Sequence, residues 1–222
     1  MRWPQPPDRL TLSGSDVHVW RARLDVDAAT FRGLSRSISP DERARADRFT
    51  RPIDRRRFVV ARGLLRRIVA RYARVSPRAL TFQYGPYGKP QLPEERGAPP
   101  LSFNLSHSGG AAIYAVAMDR HVGIDLEQLR PFQDFEPIAR RRFPEADLHA
   151  LLGLPADRRE PAFLAYWVRN EALVKATGEG VRGLGVHPPD GVTLVDFKPF
   201  RGHVAALAVH GPTARLRGWT AS

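Results

Sequence analysis

Cysteine is absent from this 222-residue chain, which excludes disulfides and thiolate metal sites and fits a reducing compartment, expected here to be the cytoplasm. Lysine is scarce, with Lys89, Lys175 and Lys198 the whole complement. The basic excess is therefore arginine, and with the frequent Ala, Gly and Pro it points to a GC-rich bacterial genome. No segment approaches the roughly 20 apolar residues of a membrane span, and Met1-Arg2-Trp3-Pro4 lacks the apolar core of a signal peptide. A soluble protein with no membrane contact is the expectation. No internal repeat is detectable, and no His-x-x-x-His pair offers a transition-metal site.

What is present can build a core: 42% of residues are hydrophobic and 9% aromatic. The length suits one large domain or two lobes of about 110 residues each. Net charge is +12, and fourteen arginines against four acids lie between Arg36 and Arg78. Three readings fit that excess: a solvated helix face, a nucleic-acid surface, or attraction of a polyanionic small molecule and an acidic protein partner. No helix-turn-helix, zinc or RNA-recognition signature accompanies the charge.

Alternation over Val17–Leu24 predicts a strand with one buried face. Ser39-Pro40-Asp41-Glu42 predicts a helix start, with a cap, a first-turn proline and acids at the dipole's positive end. Beyond Pro52, the apolar residues Ala61, Leu64, Leu65, Ile68, Val69 and Tyr72 predict a helix with one buried stripe, leaving Arg62 and Arg66 exposed. Gly85 to Pro100 reads as irregular. Strands are expected at Leu101–Leu105, Ala111–Met118 and Val122–Leu126, the last two flanking a tight turn, and again at Val192–Asp196 and His203–Val209. Helices are expected at Ile138–Phe143 and Asp147–Leu152, and from Pro161 to about Gly178.

Asp125 and Glu127 are two apart, so a strand aims both carboxylates from one face. Such a pair repels itself unless a cation or proton intervenes; the alternative is a strand end whose acids meet water. Phe163, Trp167, Glu171 and Lys175 recur every four residues and line one helix face. Glu171 and Lys175 form either a solvated ion pair or part of a covered site, and the tryptophan one turn earlier favours cover. Carboxylate oxygens suit Mg²⁺, with Mn²⁺ the alternative ion. Ser106-His107-Ser108-Gly109-Gly110 reads as a glycine-ended turn that brings a hydroxyl and an imidazole to a phosphate. A hydrolase reading of Ser106 or Ser108 with His107 is weak, because adjacent residues seldom aim at each other and no Gly-x-Ser-x-Gly elbow is present.

In order, spacing and identity, Asn104-Leu105-Ser106-His107-Ser108-Gly109, Gly123-Ile124-Asp125-Leu126-Glu127 and Trp167 through Lys175 resemble the 4′-phosphopantetheinyl transferases, of the long, two-lobed type similar to the surfactin-synthetase activator. The resemblance runs from about Ser39 to Gly180. It implies an α+β fold of two similar lobes related by a pseudo-twofold, with the active site between them; the boundary is placed so that residues 1–118 form the lobe with nucleotide contacts and 119–222 the lobe with the metal site. It implies Asp125, Glu127 and Glu171 as Mg²⁺ ligands, with Asp125, Glu171 and Lys175 catalytic and Glu171 a candidate base. Arg45, Arg57, Lys89, Ser106, His107 and Lys175 are then the coenzyme A contacts. Glu42 lies where the resemblance expects a basic residue, Asn170 where it expects lysine, and Asp147 where it expects glutamate. The implied activity is Mg²⁺-dependent transfer of 4′-phosphopantetheine from coenzyme A to a serine of an acidic acyl or peptidyl carrier protein, by a monomer, releasing adenosine 3′,5′-bisphosphate. A basic nucleic-acid binder, or a coenzyme A binder without activity, are the alternatives.

Overall fold

The computed structural model describes residues 1–86, 88–93, 100–130, 134–177, 188, 190–211 and 215–222. Strand β1 (Asp16–Arg23) carries the expected alternation: Val17 and Val19 enter one core, Trp20 and Ala22 another. Two short helices, α1 (Ala28–Ser35) and α2 (Pro40–Ala46), precede the long α3 (Pro52–Ala73). Asp27 caps α1 by accepting from the Thr30 amide at 2.8 Å, and the Ser39 amide donates to Glu42 Oε2 at 3.0 Å in a capping box on α2. The stretch expected to be irregular holds a two-residue ribbon, β2 (Gln83–Tyr84) with β3 (Pro90–Gln91).

Strands β4 (Leu101–Ser108), β5 (Ala111–Met118) and β6 (Val122–Gln128) follow, then helices α4 (Phe135–Arg142), α5 (Glu145–Leu152) and α6 (Ala156–Thr177). The chain closes through β7 (Val192–Phe197), β8 (His203–His210) and β9 (Arg215–Thr220). The fold is α+β, as expected. One sheet runs β4-β5-β1-β9 and another β6-β8-β7. They stack through Val17, Val19, Ile113, Ala115, Ile124, Leu126, Leu207 and Val209, with α3 on the outer face of the first and α6 on that of the second. The β5–β6 turn, where Asp119 takes a left-handed φ of 54°, passes the chain from one sheet to the other and makes no hairpin. β9 pairs in parallel with β1, which ties the end of the chain into the first sheet.

Three expectations are corrected. The strand expected to stop at Leu105 continues to Ser108, so Ser106 and His107 sit in β4 and only Gly109 and Gly110 turn. Helix α6 starts at Ala156 and Pro161 lies inside it; the chain also offers Pro155, and that earlier proline precedes the true start. The expected end near Gly178 lies outside the described residues. Arg62 and Arg66 are buried, at 4% and 2% exposure. The helix pattern marked only the face toward the sheet, whereas α2 and the chain after α3 cover the other side. There Glu42 receives Arg62 Nε at 3.0 Å and Arg66 Nε at 2.6 Å, and Arg66 Nη1 donates to the carbonyls of Pro77 and Leu80. Where the resemblance expects a basic residue, Glu42 pairs with two arginines.

Candidate active site

Period-two alternation builds one wall of the site from two strands of different sheets. Asn104, Ser106 and Ser108 share a face of β4, and that face meets β6. Asn104 Oδ1 accepts from the Ile124 amide at 2.9 Å, Ser106 Oγ donates to Asp125 Oδ1 at 2.8 Å, and Ser108 Oγ donates to Glu127 Oε2 at 2.7 Å. The two hydroxyls therefore hold the two carboxylates in register. Asn104 is not among the expected site residues, and Ser108, weighed only as a hydrolase nucleophile, instead holds Glu127; the alternation that pairs both with β6 depends on the two sheets meeting.

Gly123 brings the third element in. A Cβ there would lie 2.1 Å from the Ala172 carbonyl and 2.3 Å from the Ala176 amide, both backbone atoms of α6. Only glycine lets the helix approach this strand. That contact delivers Lys175, whose ammonium donates to Asp125 Oδ1 at 2.5 Å and to Ser106 Oγ at 3.4 Å. On the same helix Phe163 and Trp167 pack against each other, with Phe163 also on Phe135 and Phe143, so the upper part of the predicted line is covered and the lower part faces the site.

The electrostatics follow from burial. Glu127 is half-buried and its carboxyl is pushed up, chiefly by desolvation and further by Asp125, with the Ser108 bond and Lys175 pulling the other way. Glu171 is likewise pushed up by desolvation and by Asp125, against Lys175 and then Arg142. Asp125 thus acts on both Glu127 and Glu171 across β6 and α6, with Lys175 as the countercharge to each. His107 opens to solvent on one side while the protein crowds the other; that crowding, then Lys175, lowers its pKa, with Asp125 opposing.

A cavity of about 370 Å³ adjoins this cluster, lined by Arg45, Arg62, Lys89, Ser106, His107 and Lys175 together with Phe58 and Asn104. No carboxylate is among the described residues lining it. Lys89 donates to the carbonyls of Val122 (2.9 Å) and Lys175 (2.6 Å), so it straps the β2–β3 ribbon to β6 and α6; burial lowers its pKa to about 8. One of its three N–H groups remains for the cavity. Arg57 lies apart from the lining residues, in a bidentate pair with Asp25 at 2.8 and 2.9 Å beside Gly110. Asn170 is buried and donates to the Tyr166 carbonyl, while Arg169 is committed to Asp196, so Arg169 does not stand in for a lysine at Asn170. Asp147 is buried on α5.

Among the described residues no three acidic or histidine side chains stand close enough to form a ready metal cage. Yet Asp125 Oδ2 is buried with no hydrogen-bond partner, next to two carboxyls that burial already strains. An orphaned carboxylate oxygen among hard oxygen donors fits Mg²⁺ and excludes a soft-metal preference.

Two family models match the chain in succession. One, described as 4′-phosphopantetheinyl transferase, N-terminal, matches residues 24–119, and another, described as 4′-phosphopantetheinyl transferase superfamily, matches residues 121–220. The chain is 42% identical over 222 residues to the 4′-phosphopantetheinyl transferase HetI of Nostoc sp., covering 94% of each. It is 37% identical over 144 residues to the 4′-phosphopantetheinyl transferase psf-1 of Bacillus pumilus, covering 65% of this chain and 59% of that one. With the 4′-phosphopantetheinyl transferase Sfp of Bacillus subtilis the identity is 31% over 144 residues, covering 65% and 62%.

Proposed function

This chain belongs to the 4′-phosphopantetheinyl transferase superfamily, and from that premise we propose that its cationic cavity takes coenzyme A while Asp125, Glu127 and Glu171 hold Mg²⁺ beside the diphosphate. The enzyme transfers 4′-phosphopantetheine from coenzyme A to a carrier protein. The acceptor is a serine hydroxyl of the carrier: its oxygen bonds to the phosphorus that bears the pantetheine, and the bond from that phosphorus to the departing adenosine 3′,5′-bisphosphate breaks. The nucleophile therefore belongs to the partner, and this chain supplies position and electrostatics. A bound Mg²⁺ supplies charge neutralisation on the diphosphate.

Each residue has a task in this reading. Lys175 binds a diphosphate oxygen, and Ser106 keeps Asp125 in place. Arg45, Lys89 and His107 bind the nucleotide end, and Arg57, paired with Asp25 away from the cavity lining, has no part in it. Glu171, on the helix face that carries Lys175, takes the serine proton. The halves 1–118 and 119–222 act as lobes related by a pseudo-twofold with the reaction between them, supported by the helix-on-sheet layering of α3 and α6, although β9 crosses back to pair with β1. The carrier is an acidic domain, the enzyme acts as a monomer in the cytoplasm, and among the described residues no helix is long and apolar enough to cross a membrane.

One observation carries the site: Lys175 lines the cation-walled cavity and at the same time grips Asp125, next to an unpartnered carboxylate oxygen. Asp125→Ala and Glu171→Ala, each shown to be folded by circular dichroism, are expected to lose transfer to a carrier serine. Near-normal transfer by either folded variant overturns the assignment.

A further inference from the structure

We propose that Arg62 is a further substrate-binding residue, whose guanidinium is fixed from behind by Glu42 and Tyr84 so that Nη1 meets the 3′-phosphate of coenzyme A. This rests on the coenzyme A reading of the cavity and adds a contact that the sequence concealed.

Arg62 lines the cavity although only 4% of it is exposed. Its Nε donates to Glu42 Oε1 at 3.0 Å and its Nη2 to the Tyr84 hydroxyl at 2.5 Å, while the rings of Phe82 and Tyr84 lie 5.8 and 5.6 Å from the guanidinium carbon. A planar fork held at two nitrogens cannot rotate, so the direction of the third is set. No described residue accepts from Nη1, and it is not among the buried nitrogens that lack a partner. That leaves Nη1 as the Arg62 nitrogen with no acceptor among the described residues, on a residue that lines the cavity.

Arg66, four residues on, provides the contrast. It shares Glu42 through Nε and gives Nη1 to the carbonyls of Pro77 and Leu80, and it does not line the cavity. One arginine closes the structure, and the other is offered to a ligand. Charge points the same way: two guanidiniums on one buried carboxylate leave an excess positive charge. Asp41, which accepts from the Tyr84 hydroxyl at 3.5 Å, is exposed, so solvent screens its share of the offset.

The choice of phosphate follows from placement. Arg62 belongs to α3, and Arg45 beside it in the lining to α2, whereas Asp125 and Lys175 belong to β6 and α6. With the diphosphate against the carboxylates and Lys175, the separate anionic group of coenzyme A falls to the α2–α3 wall.

Calorimetric titration with coenzyme A and with 3′-dephospho-coenzyme A tests this in the wild type and in Arg62→Met, Arg62→Lys, Tyr84→Phe and Arg66→Met. The wild type should prefer coenzyme A, and Arg62→Met should erase roughly 10- to 100-fold of that preference, the worth of one charge-assisted phosphate contact. Affinity of Arg62→Met for the dephospho form should stay within about twofold, since that ligand lacks the contact. Arg62→Lys should restore part of the preference, and Arg66→Met should lower stability while keeping it. A folded Arg62→Met with unchanged preference, or with equal losses for both ligands, overturns the proposal. If Arg62→Met does not fold, Tyr84→Phe decides: the preference should drop, and an unchanged one overturns it. A wild type that binds both ligands equally refutes this contact alone, whereas one that binds neither refutes the coenzyme A reading beneath it.

Discussion

Replacing Glu42 by Gln is the sharpest structural test of how the cavity wall is built. Glu42 is 1% exposed and is the carboxylate that Arg62 and Arg66 share, with arginine side chains only 5% and 2% exposed. Glutamine keeps the shape and one acceptor oxygen, and it can still serve the Ser39 amide. It places an NH₂ group against a guanidinium and removes the buried carboxylate that pairs with both cations. Breaking a buried pair from one side costs about 3–5 kcal/mol, a large share of the roughly 5–15 kcal/mol that holds a domain folded. For a chain of this size that corresponds to a fall in Tm of about 6–20 °C. Urea unfolding followed by tryptophan fluorescence and a thermal melt would measure it. The exposed pair Arg55–Asp47, at 57% and 58% exposure, is the control, and its removal should cost less than about 1 kcal/mol. Replacing all three buried groups with apolar ones (Glu42→Leu, Arg62→Met, Arg66→Met) should recover much of the loss, since no unpaired charge remains. A Glu42→Gln protein within about 1 kcal/mol of wild type, with an unchanged m value, would refute the buried-charge account.

Three other outcomes are expected. Gly123→Ala should destabilise by about 1–3 kcal/mol or more and sharply reduce transfer, because a Cβ 2.1 Å from the α6 backbone must push away the helix that carries Glu171 and Lys175; a wild-type melting curve and rate would contradict this. His18 is 1% exposed, and burial lowers its pKa to about 4, against Asp16 and with help from Arg217. The unfolded chain then binds the extra proton first as pH falls, so His18 contributes its stability above about pH 6.5 and loses it toward pH 4, by up to about 3 kcal/mol. The slope of unfolding free energy over that window should flatten in His18→Gln, and an unaltered slope would show that other groups set it. Chelation should stop transfer and Mg²⁺ should restore it, whereas restoration by Zn²⁺ alone would contradict the oxygen-donor reading.

Local signals carried far in this sequence. Ser39-Pro40-Asp41-Glu42 announces its helix, because capping chemistry is complete within four residues. Asp125 and Glu127 share a face because the strand period is two, and Glu171 and Lys175 come one turn apart on α6. What stayed hidden depends on distant cover. Arg62 and Arg66 looked exposed because a helix period shows one contact face, and α3 has neighbours on several. Glu42 looked like a missing cation because its partners lie 20 and 24 residues away. β9 passed unnoticed: Arg215 and Arg217 break its apolar pattern, and its partner β1 lies nearly the whole chain away. The β4 hydroxyls became interpretable as the brace of the carboxylates only when the sheets were seen to meet at Ser106 and Asp125.

Transfer of 4′-phosphopantetheine onto a carrier serine is read most directly by intact mass. Purified protein, an apo-carrier domain, coenzyme A and Mg²⁺ should together give a carrier heavier by one phosphopantetheinyl group in its intact mass. The same carrier with its serine replaced by alanine should remain unmodified. An unmodified serine carrier across acyl and peptidyl types, with the enzyme folded and Mg²⁺ present, would contradict the account.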